Sequence, residues 1–175
     1  MALARALSIT ALLATAAVLP ACIVVSKIEA PEVSKLTADV SAPKAVIDAF
    51  FEAWIKEPGQ TFTTDRLQRT IVANDEFLSF DGMSPNDTVI QSWNEYAGVW
   101  GPGMNQFTRA TLKPTDQFKL VRSGDLAVWA GLVRINGEMP NGQTLDLPGH
   151  MTLALRRTND GWKIIHEHMS TGVKR

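Results

Sequence analysis

The stretch that decides the fold lies near the end of the 175-residue chain and reads Gly161-Trp162-Lys163-Ile164-Ile165-His166-Glu167-His168-Met169-Ser170. An Asn-Asp-Gly turn at residues 159–161 precedes it, and such residues tolerate the left-handed backbone that a tight hairpin needs. Side chains on a strand alternate between its two faces. We therefore expect one face to carry Trp162, Ile164, His166 and His168, and the other to carry Lys163, Ile165, Glu167 and Met169.

The first 21 residues have the pattern of an export signal. Arg5 is their only charge, an apolar run covers residues 7–18, and Leu19-Pro20-Ala21-Cys22 follows. A positive start, a short apolar core and a small residue before the cleavage site are typical of a secretory signal. The apolar run is too short for a comfortable membrane span. The four residues at 19–22 also resemble a bacterial lipobox, in which the cysteine becomes the lipidated first residue.

Cys22 is the only cysteine of the chain, so an intramolecular disulfide is excluded. We expect Cys22 to be lipidated and to anchor the protein in the bacterial cell envelope, on the periplasmic side. The alternative is a secreted or periplasmic protein in which Cys22 is removed or idle. Residues 22–42 have mixed composition and no sustained period, and we interpret them as a tether.

The remaining residues, 43–175, number about 130 and suit one compact domain. The net charge of the chain is −1, which gives no electrostatic reason to expect a nucleic-acid partner. The sequence contains no nucleotide-binding loop, serine nucleophile elbow or haem signature. We therefore expect no cofactor.

Helices are predicted in the first half of this domain. The first begins at Ser41-Ala42-Pro43, where a capping hydroxyl is followed by a proline in the first turn, and it ends at Pro58-Gly59. A second, shorter helix is predicted from Thr63 through Ile71. The first helix has apolar residues at helical spacing, and these are Val46, Ile47, Phe50, Phe51, Trp54 and Ile55.

A third helix is predicted to begin at residues 84–87, Ser-Pro-Asn-Asp, and to end at residues 101–103, Gly-Pro-Gly. Large aromatic residues on one helical stripe form either core or the wall of a small-molecule cavity. Both interpretations stay open here. The stripe consists of Val89, Trp93, Tyr96 and Trp100.

The rest of the domain has the periodicity of strands. A short strand at residues 77–82 precedes the third helix, and further strands are predicted at residues 107–121, 126–135 and 146–157, ahead of the last strand. Glycine-containing turns separate them. Helices followed by hairpin-linked strands indicate an α+β fold, with the helices packed on one face of an antiparallel sheet.

Residues 156–170 read Arg-Arg-Thr-Asn-Asp-Gly-Trp-Lys-Ile-Ile-His-Glu-His-Met-Ser. They resemble the ending Arg-x-x-Asp-Gly-Trp-x-Ile-x-His-x-His-x-Ser of the SnoaL-like branch of the nuclear transport factor 2-like superfamily. This ending is also similar to that of the association domain of calcium/calmodulin-dependent kinase II. Residues 75–82 and 124–127 are similar to the family's first strand and to its turn into a central strand. The resemblance covers residues 43–170.

This resemblance implies a cone-shaped fold, in which about three N-terminal helices wrap a strongly curved sheet and a pocket lies at the open end. It also implies a homodimer formed through the sheet. The superfamily includes isomerases, polyketide cyclases, dehydratases and members that only bind or assemble. The fold therefore does not decide the function.

Asp81 is the candidate catalytic carboxylate, because it lies near the position of that group on the family's first strand. Phe80 competes for the same position, and Asp81-Gly82 is also a common turn pair. A ketosteroid isomerase-like mechanism needs a carboxylate base in an apolar pocket and a donor for the enolate oxygen. Tyr96 is the only tyrosine, but it lies on a helix, whereas the donor tyrosine of that isomerase lies elsewhere in the chain order.

His166 and His168 are the other site candidates, and His168 is the preferred catalytic partner of Asp81. A neutral imidazole can accept a proton near pH 7 and donate from its other nitrogen. Alternatively, one histidine bonds a backbone carbonyl and stabilises the strand end. No third ligand for a metal is evident, so no metal site is expected. The residues expected to line the pocket are Phe80, Trp93, Tyr96, Trp100, His150 and His166.

The favoured function is binding of a small apolar molecule in the cone pocket, without catalysis. One alternative is a cofactor-free isomerase, dehydratase or cyclase acting on an apolar substrate. Such an enzyme requires a buried acid such as Asp81 to converge with a histidine in one cavity. The other alternative is a non-catalytic dimeric protein of the envelope.

Overall fold

The computed structural model describes residues 39–83 and 89–172. The predicted export signal, Cys22 and the predicted start of the third helix at residues 84–87 lie outside the described residues. Within the described ranges, no helix is both long enough and apolar enough to cross a membrane.

One curved, unclosed sheet of six strands forms the body of the fold, in the order β2-β1-β6-β5-β4-β3. The predicted α+β class is confirmed. The sheet is not wholly antiparallel, because β1 and β6 run parallel. A parallel pair needs a long crossover, and nearly the whole domain separates these two strands. The strands are β1 (Leu78–Asp81), β2 (Val89–Ile90), β3 (Arg109–Ser123), β4 (Leu126–Glu138), β5 (Thr144–Thr158) and β6 (Gly161–Thr171).

Helix α1 (Ser41–Ala53) and the short helix α2 (Asp65–Gln68) precede the sheet in sequence. Helix α1 begins at Ser41 as predicted, but the predicted cap by the Ser41 hydroxyl is wrong, because Val40 is at the cap position and the Ser41 N–H donates to Oδ1 of Asp39. The helix also ends at Ala53, before the predicted stop at Pro58-Gly59. Its apolar stripe packs on one face of the sheet, where the Phe51 ring meets the ring of Trp129 edge-on at 5.2 Å between centroids. We call this covered face the inner face, and the opposite one the outer face.

Helix α3 spans Trp93–Asn105, so its predicted bounds were wrong at both ends. Val89 belongs to β2, and the helix starts after Ser92, whose Oγ accepts a hydrogen bond from the backbone N–H of Glu95 at 3.3 Å. This Ser-x-x-Glu pattern is that of a capping box. The helix continues through the Gly-Pro-Gly segment to Asn105, because the Asn105 side chain ties this end to Phe62. Its amide bonds both the N–H and the C=O of Phe62, each at 2.9 Å.

Strand β6 begins at the predicted turn, where Gly161 adopts a φ of 97° in the left-handed region that favours glycine. The strand then contains a β-bulge. Leu155 of β5 pairs with Ile164, whereas Ala154 pairs with His166, so Ile165 is an extra residue. The bulge reverses the alternation of faces, and the predicted sharing of one face by Ile164 and His166 is therefore wrong. The inner face carries Trp162, Ile164, Glu167 and Met169, all buried.

Candidate functional site

A buried pair of polar side chains joins α3 to β6 on the inner face of the sheet. The Tyr96 hydroxyl donates a hydrogen bond of 2.6 Å to Oε2 of Glu167. Both residues are 0% exposed. The bulge in β6 places Glu167 on the inner face, and the helical spacing in α3 places Tyr96 above it. Oε1 of Glu167 has no hydrogen-bond partner among the described residues.

Burial, and after it the nearby negative charge of Asp81, raise the pKa of Glu167 from its ordinary 4.5 to about 8. The hydrogen bond from Tyr96 acts in the opposite direction, because it stabilises the carboxylate. Burial, followed by the charge of Glu167, raises the pKa of Tyr96 well above its ordinary value. At neutral pH the pair is therefore mainly a neutral carboxylic acid beside a neutral phenol.

Strand β1 adds two more polar residues to the inner face. Ser79 pairs with Glu167 across the parallel strands, and Asp81 pairs with Met169. Asp81 is 2% exposed, and its Oδ1 accepts a hydrogen bond from the backbone N–H of Met83 at 2.8 Å. A hydrogen bond between the Asp81 side chain and the backbone two residues later is typical of a turn, which is the alternative considered for Asp81-Gly82. The inner face of β1 and β6 carries Ser79, Asp81 and Glu167, and α3 adds Tyr96; we call these four residues the acidic cluster.

An apolar cavity with an open mouth lies next to the acidic cluster and encloses about 50 Å³. None of the described residues that line it is charged. Trp54 connects the two features, since its ring meets the ring of Tyr96 at 6.2 Å and that of Trp100 at 5.2 Å. The aromatic and sulfur-containing part of the wall consists of Trp54, Trp100, Phe107, Met83, Met104 and Met169.

The sequence model of the SnoaL-like domain matches residues 42–174. The chain belongs to the SnoaL-like domain family. No curated protein matches the chain at a significant level. The resemblance deduced from residues 156–170 is therefore confirmed at the level of the family.

Solved structures similar to this SnoaL-like protein belong to the nuclear transport factor 2-like fold. A superfamily member from Salmonella enterica serovar Typhimurium LT2 is 20% identical, with a TM-score of 0.62 over 75% of this chain and 92% of that one. A ketosteroid isomerase-like protein from Shewanella frigidimarina is 26% identical, with a TM-score of 0.58 over 74% and 95%. A protein from Thiobacillus denitrificans, similar to the calcium/calmodulin-dependent kinase II association domain, is 18% identical, with a TM-score of 0.54 over 75% and 95%.

The aromatic residues predicted for the pocket are divided between the cavity and the core of the SnoaL-like domain. Trp100 lines the cavity. Trp93 and Tyr96 are buried beside each other, with ring centroids 6.1 Å apart, and do not line it. Phe80 lies on the outer face, 42% exposed, with its ring 5.5 Å from that of His166 and 6.3 Å from that of His168.

The three histidines also lie away from the cavity. Nδ1 of His166 is 2.9 Å from the carbonyl oxygen of Leu78, which is the backbone bond considered as the structural alternative. His150 and His168 are exposed on the outer face. His168 and Asp81 both border a shallow surface depression, but the Asp81 carboxyl points to the inner face. The structure therefore does not bring the two predicted catalytic groups together.

Among the described residues, no group of three or more His, Cys, Asp or Glu side chains is placed to hold a metal ion. The sequence analysis did not identify Glu167, because regular alternation placed it opposite the histidines. One signal was available. Trp162 and Ile164 occupy even-numbered positions of β6, whereas the later apolar residue Met169 occupies an odd-numbered one. Strict alternation would place these residues on opposite faces, and the adjacent Ile164-Ile165 pair lies between them.

Proposed function

We propose that this protein binds a small apolar molecule in the cavity bounded by Trp54, Trp100 and Met169. The observation that carries the proposal is the cavity itself, which encloses about 50 Å³ and has an aromatic and methionine-rich wall; none of the described residues that line it is charged. Burial of apolar surface drives binding in such a site. Methionine side chains adapt their shape to a ligand. The SnoaL-like fold often serves small-molecule binding or isomerisation.

Isothermal titration of the purified protein with ethylbenzene, a neutral apolar probe, tests this proposal. Ala110 is 5% exposed and lines the cavity, so Ala110→Leu should fill part of the space and remove binding. Ala130→Leu is the matched control, because Ala130 is exposed on the outer face. Thermal unfolding of both variants separates loss of the cavity from loss of the fold. Unchanged affinity in a folded Ala110→Leu protein would place the ligand elsewhere.

A second candidate function is cofactor-free acid–base catalysis on the bound molecule, as in an isomerase, dehydratase or cyclase. The observation that favours it is the buried Tyr96–Glu167 pair beside Asp81. A carboxylic acid with a pKa near 8 is suited to proton transfer at neutral pH. The 26% identity to a ketosteroid isomerase-like protein agrees with this class. His168 has no part in this version, because it lies on the outer face.

Solvent deuterium exchange at the α-carbon of a bound ketone, followed by NMR, tests catalysis. The protein should accelerate exchange into cyclohexanone, and Glu167→Gln should abolish the acceleration while the protein remains folded. Glu52→Gln, on the exposed side of α1, is the matched control. Equal exchange in the presence and absence of the protein would leave binding as the sole function of the site.

We also propose that the outer face joins two copies of the chain. It exposes large apolar side chains, with Phe80 at 42%, Leu126 at 54% and Val128 at 38%. A second copy would cover them. Light scattering after size exclusion should give a dimer that Val128→Lys dissociates, while Ala45→Lys on the exposed side of α1 leaves the dimer intact. A monomeric parent protein would refute this proposal.

Export and lipidation of Cys22 complete the proposed function. They rest on the apolar run at residues 7–18 and on the lipobox-like residues 19–22. In this arrangement, the tether at residues 22–42 holds the SnoaL-like domain at the periplasmic side of a membrane.

A further inference from the structure

All three histidines of the chain lie together on the outer face of the sheet. His166 and His168 follow each other on this face of β6, because the bulge turns the residue between them inward. On the neighbouring strand β5, His150 is opposite Ser170, two residues beyond His168. Diagonal neighbours of this kind lie about 7–8 Å apart. The three imidazoles therefore occupy one continuous area.

Phe80 belongs to the same area, because β1 pairs with β6 and places Phe80 opposite His168. The Phe80 ring meets the ring of His166 at 5.5 Å and that of His168 at 6.3 Å, both nearly edge-on. Phe80 is 42% exposed and is one of the apolar side chains that a second copy would cover. Covering the Phe80 ring would therefore also take these two imidazoles out of water.

The charged side chains around the histidines are mostly basic. Helices α1 and α3 pack on the other face of the sheet, and β1 and β2 present Leu78, Phe80 and Val89 on the outer face. The charged side chains that the register places on the outer face are Arg109, Lys113, Lys119, Arg134, Glu138, Asp146, Arg156 and Lys163. Six of these eight are basic.

The carboxylates near the histidines already have partners. Arg134 pairs with Asp146 at 2.7 Å, and Arg156 pairs with Glu76. Glu138 is at the far end of β4, six residues beyond the position opposite His150. A proton gained by one of the imidazoles would therefore add positive charge to a face that is already basic.

The chemistry of histidine connects this area to pH. A histidine side chain ordinarily changes its charge between pH 5 and pH 8. Burial between two copies penalises the charged form, and a two-fold symmetric dimer brings the same basic face from each side. In His166, Nδ1 is 2.9 Å from the carbonyl oxygen of Leu78, which can only accept. Nδ1 therefore carries the hydrogen of the neutral ring, and Nε2 is the atom that gains the second proton.

We infer that the outer-face dimer is sensitive to pH: two copies associate near neutral pH, and protonation of His150, His166 and His168 separates them in mildly acidic solution. This inference rests on the proposed dimer and adds its regulation. The dimer binds fewer protons than two separate copies, so its dissociation constant rises as pH falls. One histidine per copy that stays neutral in the dimer raises this constant about 100-fold between pH 7.5 and pH 5.5.

Sedimentation equilibrium of the purified protein at pH 7.5 and pH 5.5 measures the dissociation constant. The wild type should dissociate about 100-fold more readily at pH 5.5. A triple variant, His150→Gln with His166→Gln and His168→Gln, gains no proton in this range and should associate equally at both pH values. Glu52→Gln, on the exposed side of α1, is the matched control and should keep the pH dependence of the wild type. Circular dichroism checks that each protein is folded at both pH values.

The imidazole resonances of the wild-type protein give a second readout that does not depend on a variant. If protonation and association oppose each other, the imidazoles should gain their protons at a lower pH in concentrated than in dilute protein. A dimer equally stable at both pH values, or an imidazole titration independent of protein concentration, would overturn the pH inference and leave the dimer proposal intact. A folded triple variant that weakens at pH 5.5 as the wild type does would also overturn it. A wild-type chain that is monomeric at both pH values would overturn both proposals.

Discussion

Replacement of Glu167 by glutamine should change how the stability of the domain depends on pH. Glu167 has a pKa of about 8 in the folded protein, against an ordinary value of 4.5. Between these values the folded chain keeps a proton that the unfolded chain releases. The folded state thus binds more protons, and the free energy of unfolding falls as pH rises. The contribution of this group is complete below pH 4.5 and is lost progressively up to pH 8.

The magnitude follows from the pKa difference. Each pH unit between the two values removes about 1.4 kcal/mol. From pH 5 to pH 8, the group therefore accounts for a loss of about 4 kcal/mol. Domains of this size are stable by about 5–15 kcal/mol in total, so the loss is a large share. Glutamine is neutral throughout this range, and its amide oxygen can still accept the Tyr96 hydroxyl. Glu167→Gln should therefore remove most of the decrease in the free energy of unfolding between pH 5 and pH 8.

Urea unfolding at several pH values between 5 and 8 measures the effect. Other titrating groups are common to both proteins, so the difference between wild type and Glu167→Gln isolates Glu167. Glu52→Gln, which makes the same chemical change at an exposed position of α1, should leave the slope of the wild type unchanged. If wild type and Glu167→Gln lost stability in parallel between pH 5 and 8, the buried acid would not be protonated as argued.

Three further outcomes are expected. Tyr96→Phe should lower the free energy of unfolding in urea by about 1–3 kcal/mol, because it leaves Oε2 of Glu167 without its donor. An NMR titration of this variant should show a higher pKa for Glu167. A lower pKa would contradict the conclusion that Tyr96 stabilises the carboxylate. Trp54→Ala should cost about 3–5 kcal/mol, as a residue 3% exposed in the core, and a loss under about 1 kcal/mol would show that the side chain is not core. Mass spectrometry of protein from a bacterial membrane fraction should find an acylated N-terminus at Cys22, whereas an intact Met1 would exclude lipidation.

The predicted elements that were correct depended on local signals. The start of α1 follows from Pro43 in its first turn, and the hairpin into β6 follows from the turn that ends at Gly161. These signals act over a few residues, so the sequence displays them directly. The resemblance at residues 156–170 then indicated the nuclear transport factor 2-like fold. Patterns of neighbouring residues alone do not reveal how the strands are arranged in the sheet.

The errors arose where distant contacts override local preference. The Gly-Pro-Gly segment within α3 is a stop signal by propensity, but Asn105 binds the backbone of Phe62, 43 residues away, and holds the last turn in helical form. The parallel pairing of β1 with β6 joins residues such as Phe80 and His168, which are far apart in sequence. No short-range pattern contains this information.

The bulge at Ile165 has the largest consequence for the site. In a regular strand, Ile164 on the inner face would be followed there by His166 and His168, and two imidazoles would lie beneath Tyr96. The extra residue places Glu167 there instead and moves both histidines to the outer face. A neutral acid that titrates near pH 8 thus replaces imidazoles, whose ordinary pKa is about 6.5. The chemistry next to the cavity is therefore determined by one unpaired residue, and the His-x-His motif that identifies the family contributes its intervening residue to the interior.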